Sequence, residues 1–237
     1  MDIYIVLVEL KIPENVGFIA RVAKNYGIKN LCLYNCNVTE ESYHTAAHAK
    51  DVLENAVSVE NLQDFLNQMN VVVGTTGIEG GDYKYLRKTL ATPEELPELV
   101  KGAQKVAVLF GREDYGLYND ELALCHILVR IPTSEEYPVM NVSHAAAVVL
   151  YFLRPLLSKF DKDTNKEDEP ATSGDIEVLL SNLVSMLEII QYPQHRIKRT
   201  VVVFRRILGR AKVRRHEIQT LNAIFRKTVS YIKRMNK

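Results

Sequence analysis

Five short apolar runs, rich in β-branched residues, punctuate the chain at 3–8, 31–34, 71–75, 104–111 and 126–131. They carry little polar alternation, so they read as strands buried on both faces, the habit of a parallel sheet. The stretches between them have helical spacing. Over 13–26 the residues Val16, Ile19, Ala20 and Ala23 fall on one face, Pro13 suits a first turn and Gly27 a stop. Further helical segments are expected over 40–54, 59–69 and 141–156. The alternation predicts an α/β fold, a parallel sheet with helices on both faces. Loops 75–81, 111–116 and 132–140 then stand at strand C-terminal ends, where open α/β sheets bind ligands.

Residues 158–174 are polar and include Pro170, Thr172, Ser173 and Gly174, so they read as a linker between a domain at 1–157 and an extension at 175–237. Three amphipathic helices are expected in that extension, making a small bundle. It holds 14 Lys and Arg against four acids, while the whole chain has a formal net charge of only +1. Such a concentration suits phosphate binding and points to RNA; taken alone it also fits a merely solvated bundle.

The three cysteines, Cys32, Cys36 and Cys125, are an odd number in a chain of this size, which suits a reducing cytosol. The N-terminus lacks the pattern of a signal peptide, and the longest apolar run, 145–153, is too short to span a bilayer. A cytoplasmic protein without membrane attachment is expected. The pairs Cys32/Cys36 and His44/His48 have the look of zinc ligands, but the pairs are too close together and Cys32 sits in a strand, so no metal is expected.

Neither a G-x-G-x-x-G turn nor a Walker loop follows a strand, which argues against the usual nucleotide sites. Three other segments stand out. In Pro13-Glu14-Asn15-Val16-Gly17-Phe18-Ile19-Ala20-Arg21, the cation projects off the apolar face, with Gly17 one turn before it leaving room for a phosphate or ribose. In Gly111-Arg112-Glu113-Asp114-Tyr115-Gly116, two glycines bracket two acids at a strand end and permit close backbone approach to a ligand. In Ile131-Pro132 through Pro138-Val139-Met140-Asn141-Val142-Ser143, a proline-bounded loop feeds a helix. Alone, each has a bland reading: a surface Arg, a turn, an N-cap.

Together, in this order and spacing, the segments resemble the signature of the SpoU/TrmH branch of the SPOUT methyltransferases, and within it the TrmJ-type tRNA ribose 2′-O-methyltransferases. The resemblance covers about 3–156. It implies a deep trefoil knot in the C-terminal part of the sheet domain, S-adenosyl-L-methionine as cofactor, tRNA as substrate with the anticodon loop as target, and an obligatory homodimer. It implies catalytic roles for Asn15, Arg21, Glu113 and Asn141. Cofactor contacts are implied at Thr75, Thr76, Gly77, Gly111, Ile131, Val139, Met140 and Asn141. Where relatives often carry Ser-Leu-Asn, this chain has Val139-Met140-Asn141: a contact made by the serine hydroxyl is missing here, whereas one made by the backbone is kept by Val139. A ribosomal RNA 2′-O-methyltransferase and a non-catalytic knotted RNA-binding module are the alternative readings.

Overall fold

The structure, a computed structural model, describes residues 1–77, 90–157 and 169–235. Its sheet domain comprises β1 (Asp2–Val8), α1 (Pro13–Asn25), β2 (Asn30–Tyr34), α2 (Glu40–Ala46), α3 (Lys50–Glu54), β3 (Val57–Ser58), α4 (Leu62–Leu66), β4 (Val71–Thr75), α5 (Leu96–Leu99), β5 (Lys105–Phe110), α6 (Asn119–Leu124), β6 (Ile127–Val129) and α7 (Val142–Leu153). The extension comprises α8 (Ser173–Ile189), α9 (Gln194–Arg210) and α10 (Arg215–Met235).

The strands pair in parallel in the order β3-β2-β1-β5-β4-β6. Ile3, Ile5 and Leu7 of β1 enter one core and Val6 and Val8 the other, so the apolar run fills both layers at once. After β1 the chain winds outward through β2 and β3, then returns to β4 on the far side of β5. The C-terminal ends of β1, β4, β5 and β6 therefore converge at the switch point, where a crevice forms.

Residues 76–91 leave β4 and come back as the bridge of Ala91 to Val129, beyond β6. Residues 78–89, and with them the end of the expected loop 75–81, lie outside the described residues.

Three sequence expectations need correction. The helix expected over 40–54 is broken at Ala47, which has φ +51°, by a 3₁₀ turn between α2 and α3. The helix expected over 59–69 shrinks to α4, capped by Asn61, whose Oδ1 accepts from the Asp64 amide at 3.1 Å. The last strand starts after His126, whose Nδ1 accepts from the Val72 amide at 3.0 Å in place of a ladder carbonyl. Burial pushes that imidazole down to a pKa of about 3, so it is neutral.

The extension is docked on the sheet domain. α8 begins at Ser173, inside the expected linker, of which 158–168 lie outside the described residues. Its N-cap Thr172 accepts from the Asp175 amide at 3.1 Å. The Gly174 amide donates to the Asn67 carbonyl at 2.8 Å, the Ser173 amide to that of Met69, and the Asn70 side chain to the Ala171 carbonyl at 3.1 Å. Gly209 of α9 rests on the His126 ring, where a Cβ would come within 2.5 Å of His126 Cβ. Two cations counted in the basic face, Arg205 and Arg206, are buried. Arg205 clamps Glu177 through two contacts of 2.8 Å and donates to the Ala123 carbonyl at 2.8 Å, so it holds α8, α9 and the sheet domain together. An isolated charge would be expelled from such a position; the bidentate carboxylate keeps it there.

Candidate active site

Helix α1 starts at Pro13 with Glu14 in its first turn, and its apolar stripe seats it on the sheet. This aims Asn15 at the loop after β5. Asn15 Nδ2 donates to Glu113 Oε1 at 2.8 Å, and the same carboxylate accepts from the amides of Ile12 at 3.2 Å and Lys11 at 3.0 Å. Asn15 Oδ1 in turn accepts from Asn141 Nδ2 at 3.2 Å. Asn141 caps α7, its Oδ1 accepting from the Ser143 amide at 2.8 Å and hydroxyl at 2.7 Å. Asn15, Glu113 and Asn141, which the sequence places far apart, thus form one chain of hydrogen bonds, and Ser143 extends it.

Beside this network lies a cleft enclosing about 900 Å³ of empty space, its open mouth included. Thr75–Gly77, Gly111, Ile131, Val139 and Met140 all line it, so every sequence-expected cofactor position except Asn141 is on its wall. Leu117, Val129, Val142 and Ala145 add apolar surface. The Thr75 hydroxyl is already spent on the Leu109 carbonyl at 2.8 Å, and the Thr76 amide on that of Val129 at 3.0 Å. Val139 packs against Gly77, filling wall where a serine hydroxyl was the alternative. Apolar walls rimmed by strand-end backbone groups, with few free side-chain polar atoms, fit an adenosine-bearing ligand such as S-adenosylmethionine. A second cavity, about 440 Å³, lies at the junction with the extension and touches none of the motif residues.

The three motif glycines play different parts. A Cβ on Gly111 would lie 2.3 Å from the Gly116 carbonyl carbon, so that glycine lets the loop fold back on itself. Gly116 is required by its φ of +64°. Gly17 does not make room for a phosphate: a Cβ there would lie 2.1 Å from the Ser42 carbonyl oxygen, and the space beside it is filled by α2.

Arg112 was not singled out in the sequence, yet it holds the loop. Buried to 4% exposure, it donates to Glu9 at 2.9 Å, to both Glu121 oxygens at 2.9 and 3.0 Å, and to the Gly116 carbonyl at 3.3 Å. Burial works against its charge, but the two carboxylates outweigh it and keep it protonated; the guanidinium in turn holds the Glu9 carboxyl below the usual carboxylate range. Glu121 lies nine residues along the chain, a spacing that signals nothing in a sequence.

Arg21 stands apart. It is exposed, lies outside the cleft wall, and makes no hydrogen bond or ion pair with any described residue. Cys32 and Cys36 pack against opposite faces of the sheet. Among the described residues no group of three or more His, Cys, Asp or Glu side chains could hold a metal, and no helix is long and apolar enough to cross a membrane.

Residues 2–151 match the SpoU rRNA Methylase family. The chain is 35% identical over 232 residues to the tRNA (cytidine-2′-O-)-methyltransferase TrmJ of Methanocaldococcus jannaschii, covering 94% of this chain and 98% of that protein. It is 31% identical over 231 residues to the enzyme of the same name from Sulfolobus acidocaldarius, covering 96% and 93%. Among solved structures, TrmJ from Z. mobilis superposes with a TM-score of 0.76 at 24% identity, covering 96% of this chain and 99% of that one.

Proposed function

The chain belongs to the SpoU rRNA methylase family, and from that premise we propose that it transfers a methyl group from S-adenosylmethionine to a ribose 2′-hydroxyl of tRNA, in the anticodon loop. The family is named for ribosomal RNA, but its match ends at residue 151. Agreement with the two tRNA enzymes runs over 94% and 96% of the chain, so it reaches into the basic extension, and this favours tRNA. The observation that carries the reading is the Glu113–Asn15–Asn141 chain of hydrogen bonds, which ties three separated motifs to one edge of the cleft.

The residues then divide the work. Strand-end positions Thr75–Gly77, Gly111 and Ile131, with Val139 and Met140, would hold the cofactor. When bound, it supplies a methyl on a sulfonium that needs little further activation, so positioning carries much of the rate. The ribose hydroxyl is a poor nucleophile until its proton is drawn away. An arginine guanidinium is a poor base. We assign Arg21 the role of orienting an RNA phosphate and the ribose, with that phosphate taking the proton. Asn15, Glu113 and Asn141 fix the start of α1 and of α7 relative to the cleft.

We further propose a homodimer in which Arg21 of one protomer serves the cleft of its partner. In support, Arg21 has no partner among the described residues of its own chain. Helix α7 is apolar almost all round, with Tyr151 exposed and Val142, Val148 and Phe152 only half-buried, and α1 exposes Phe18 beside it. A helix of that character seeks burial on a second side. The 1–157 and 175–237 units are read as the methyltransferase domain and an RNA-gripping extension, acting in the cytoplasm where tRNA is found.

Methyl transfer from radiolabelled S-adenosylmethionine to total tRNA and to ribosomal RNA tests the reading. Label in a tRNA 2′-O-methyl nucleotide is expected. Label confined to ribosomal RNA would move the substrate, and none in either would leave a non-catalytic RNA-binding module.

A further inference from the structure

The loop after β5 displays two tyrosines that methyl transfer, as described above, leaves unused. Tyr115 lines the mouth of the cleft and is 68% exposed; Tyr118 is 50% exposed. Their ring centroids are 6.5 Å apart. The support beneath them is rigid. Arg112 is locked to Glu9 and Glu121, the Gly116 amide donates back to the Arg112 carbonyl at 2.8 Å, and Gly111 packs against the Gly116 backbone. The Arg112 guanidinium lies 3.7 Å from the Tyr118 ring centroid, so one face of that ring is already taken. The Lys11 ammonium lies 5.8 Å from the Tyr115 centroid, farther than Arg112 from Tyr118.

The charges around Tyr115 are arranged to admit a polyanion. Lys11 bridges Asp114 at 2.7 Å and offsets its charge. The Glu113 oxygens are turned inward onto the Lys11 and Ile12 amides and the Asn15 side chain. The Asp114 charge is thus offset by a cation, and the Glu113 oxygens are engaged on the inner side of the loop. A fixed, exposed aromatic ring at the rim of a site is what single-stranded nucleic-acid binders use to receive a base.

We propose that Tyr115 is the stacking platform for an unpaired nucleobase of the RNA, beside the ribose that enters the cleft. The inference rests on the RNA methyltransferase reading and extends it. It assigns the substrate class at the mouth of the site as unstacked single-stranded RNA, and gives the rim a role in substrate binding that is separate from the cofactor wall.

The chain contains no tryptophan, so Tyr115→Trp in the full-length protein places a lone indole at the platform. Its emission is expected to quench on addition of unmodified tRNA, saturating in step with binding followed by gel shift. Tyr115→Ala is expected to raise the KM for tRNA about tenfold, as for the loss of one base–aromatic stack. Its kcat and S-adenosylmethionine affinity should change little, and Tyr115→Phe should keep the normal KM. An indole unmoved by saturating tRNA, an indole already buried in the free protein by a second copy, or an unchanged KM in Tyr115→Ala overturns the proposal. Equal losses in the Phe and Ala variants, which would mean a hydroxyl contact, overturn it as well. Wild-type transfer to tRNA, measured in the same assays, separates the two levels. If it is absent, the enzyme reading and the platform fall together; if it is present with an unmoved KM, only the platform falls.

Discussion

The Asn15 amide donates to the Glu113 carboxylate at 2.8 Å across 98 residues of chain, tying α1 to the loop at the edge of the cleft. Both Glu113 oxygens accept from N–H groups, so the charge is satisfied only as a carboxylate. In Glu113→Gln an NH₂ would be set against one of those donors. The expected cost is about 1–3 kcal/mol, seen as a melting temperature lower by roughly 2–4 °C for each kcal/mol. Methyl transfer should fall with it. Calorimetry on the variant checks the first and turnover the second; an unchanged melting temperature would show that the contact contributes nothing.

Arg21→Ala should lower kcat by about 10² or more while S-adenosylmethionine affinity, measured by calorimetry, stays near normal. Ala145→Phe, which fills the cleft, should do the reverse and abolish cofactor binding. If Arg21 serves the partner's cleft, mixing and exchanging the two inactive proteins restores activity, to about a quarter of wild type for random pairing in a symmetric dimer. Light scattering should give twice the 27.0 kDa chain mass. An active monomer, or a mixture that stays inactive, would remove the shared-site assignment.

Arg112 makes an acid-sensitive clasp. The Glu9 carboxyl is held below its usual value near 4.5 by the guanidinium. Its contribution is therefore fully present above pH 4.5 and is lost as pH falls through the lowered folded-state value. Urea midpoints should decline over that acid range. Arg112→Met should lower stability by about 3–5 kcal/mol, because Glu121 is left in a largely buried site without its cation. It should also flatten the part of the pH dependence that Glu9 supplies. A variant as stable as wild type would contradict this.

Affinity for tRNA should fall steeply with salt, by just under one log unit per log unit of salt for each phosphate contact. The exposed cations Arg196, Arg199, Arg210, Arg226 and Lys227 are the ones to change. Their replacement by Ala should make the salt slope shallower with the melting temperature unmoved. Arg205→Ala should lower the melting temperature, since that side chain is buried on Glu177 and the Ala123 carbonyl. If the five-fold variant binds with an unchanged slope, the extension is only a solvated bundle.

The strands were legible because their apolar runs are short, β-branched and buried on both faces; β1, β2 and β4 fall within a residue of expectation. The motif residues were legible through their order and spacing. What stayed hidden depends on tertiary partners. Nothing in the residues around Ala47 marks the break, where the backbone takes a φ of +51°. Arg205 looked like any other cation of an amphipathic helix until Glu177 and Ala123 came to its side. Gly17 invited a ligand in the sequence, and a neighbouring helix fills the space instead. His126 stands in for a backbone acceptor, an exchange no periodicity records.

Because the Ser173 and Gly174 amides are fastened to the carbonyls just before β4, and Gly209 is seated on His126, the far helices sit at a set offset from the strand ends that form the cleft. An RNA held by those helices would be presented to the cleft at a fixed reach, as by a caliper. The nucleotide would then be chosen partly by measurement along the RNA fold rather than by the identity of its base. Lengthening the tRNA stem by one base pair should accordingly move the methylated position or stop the reaction, whereas changing the target base alone should alter the rate far less.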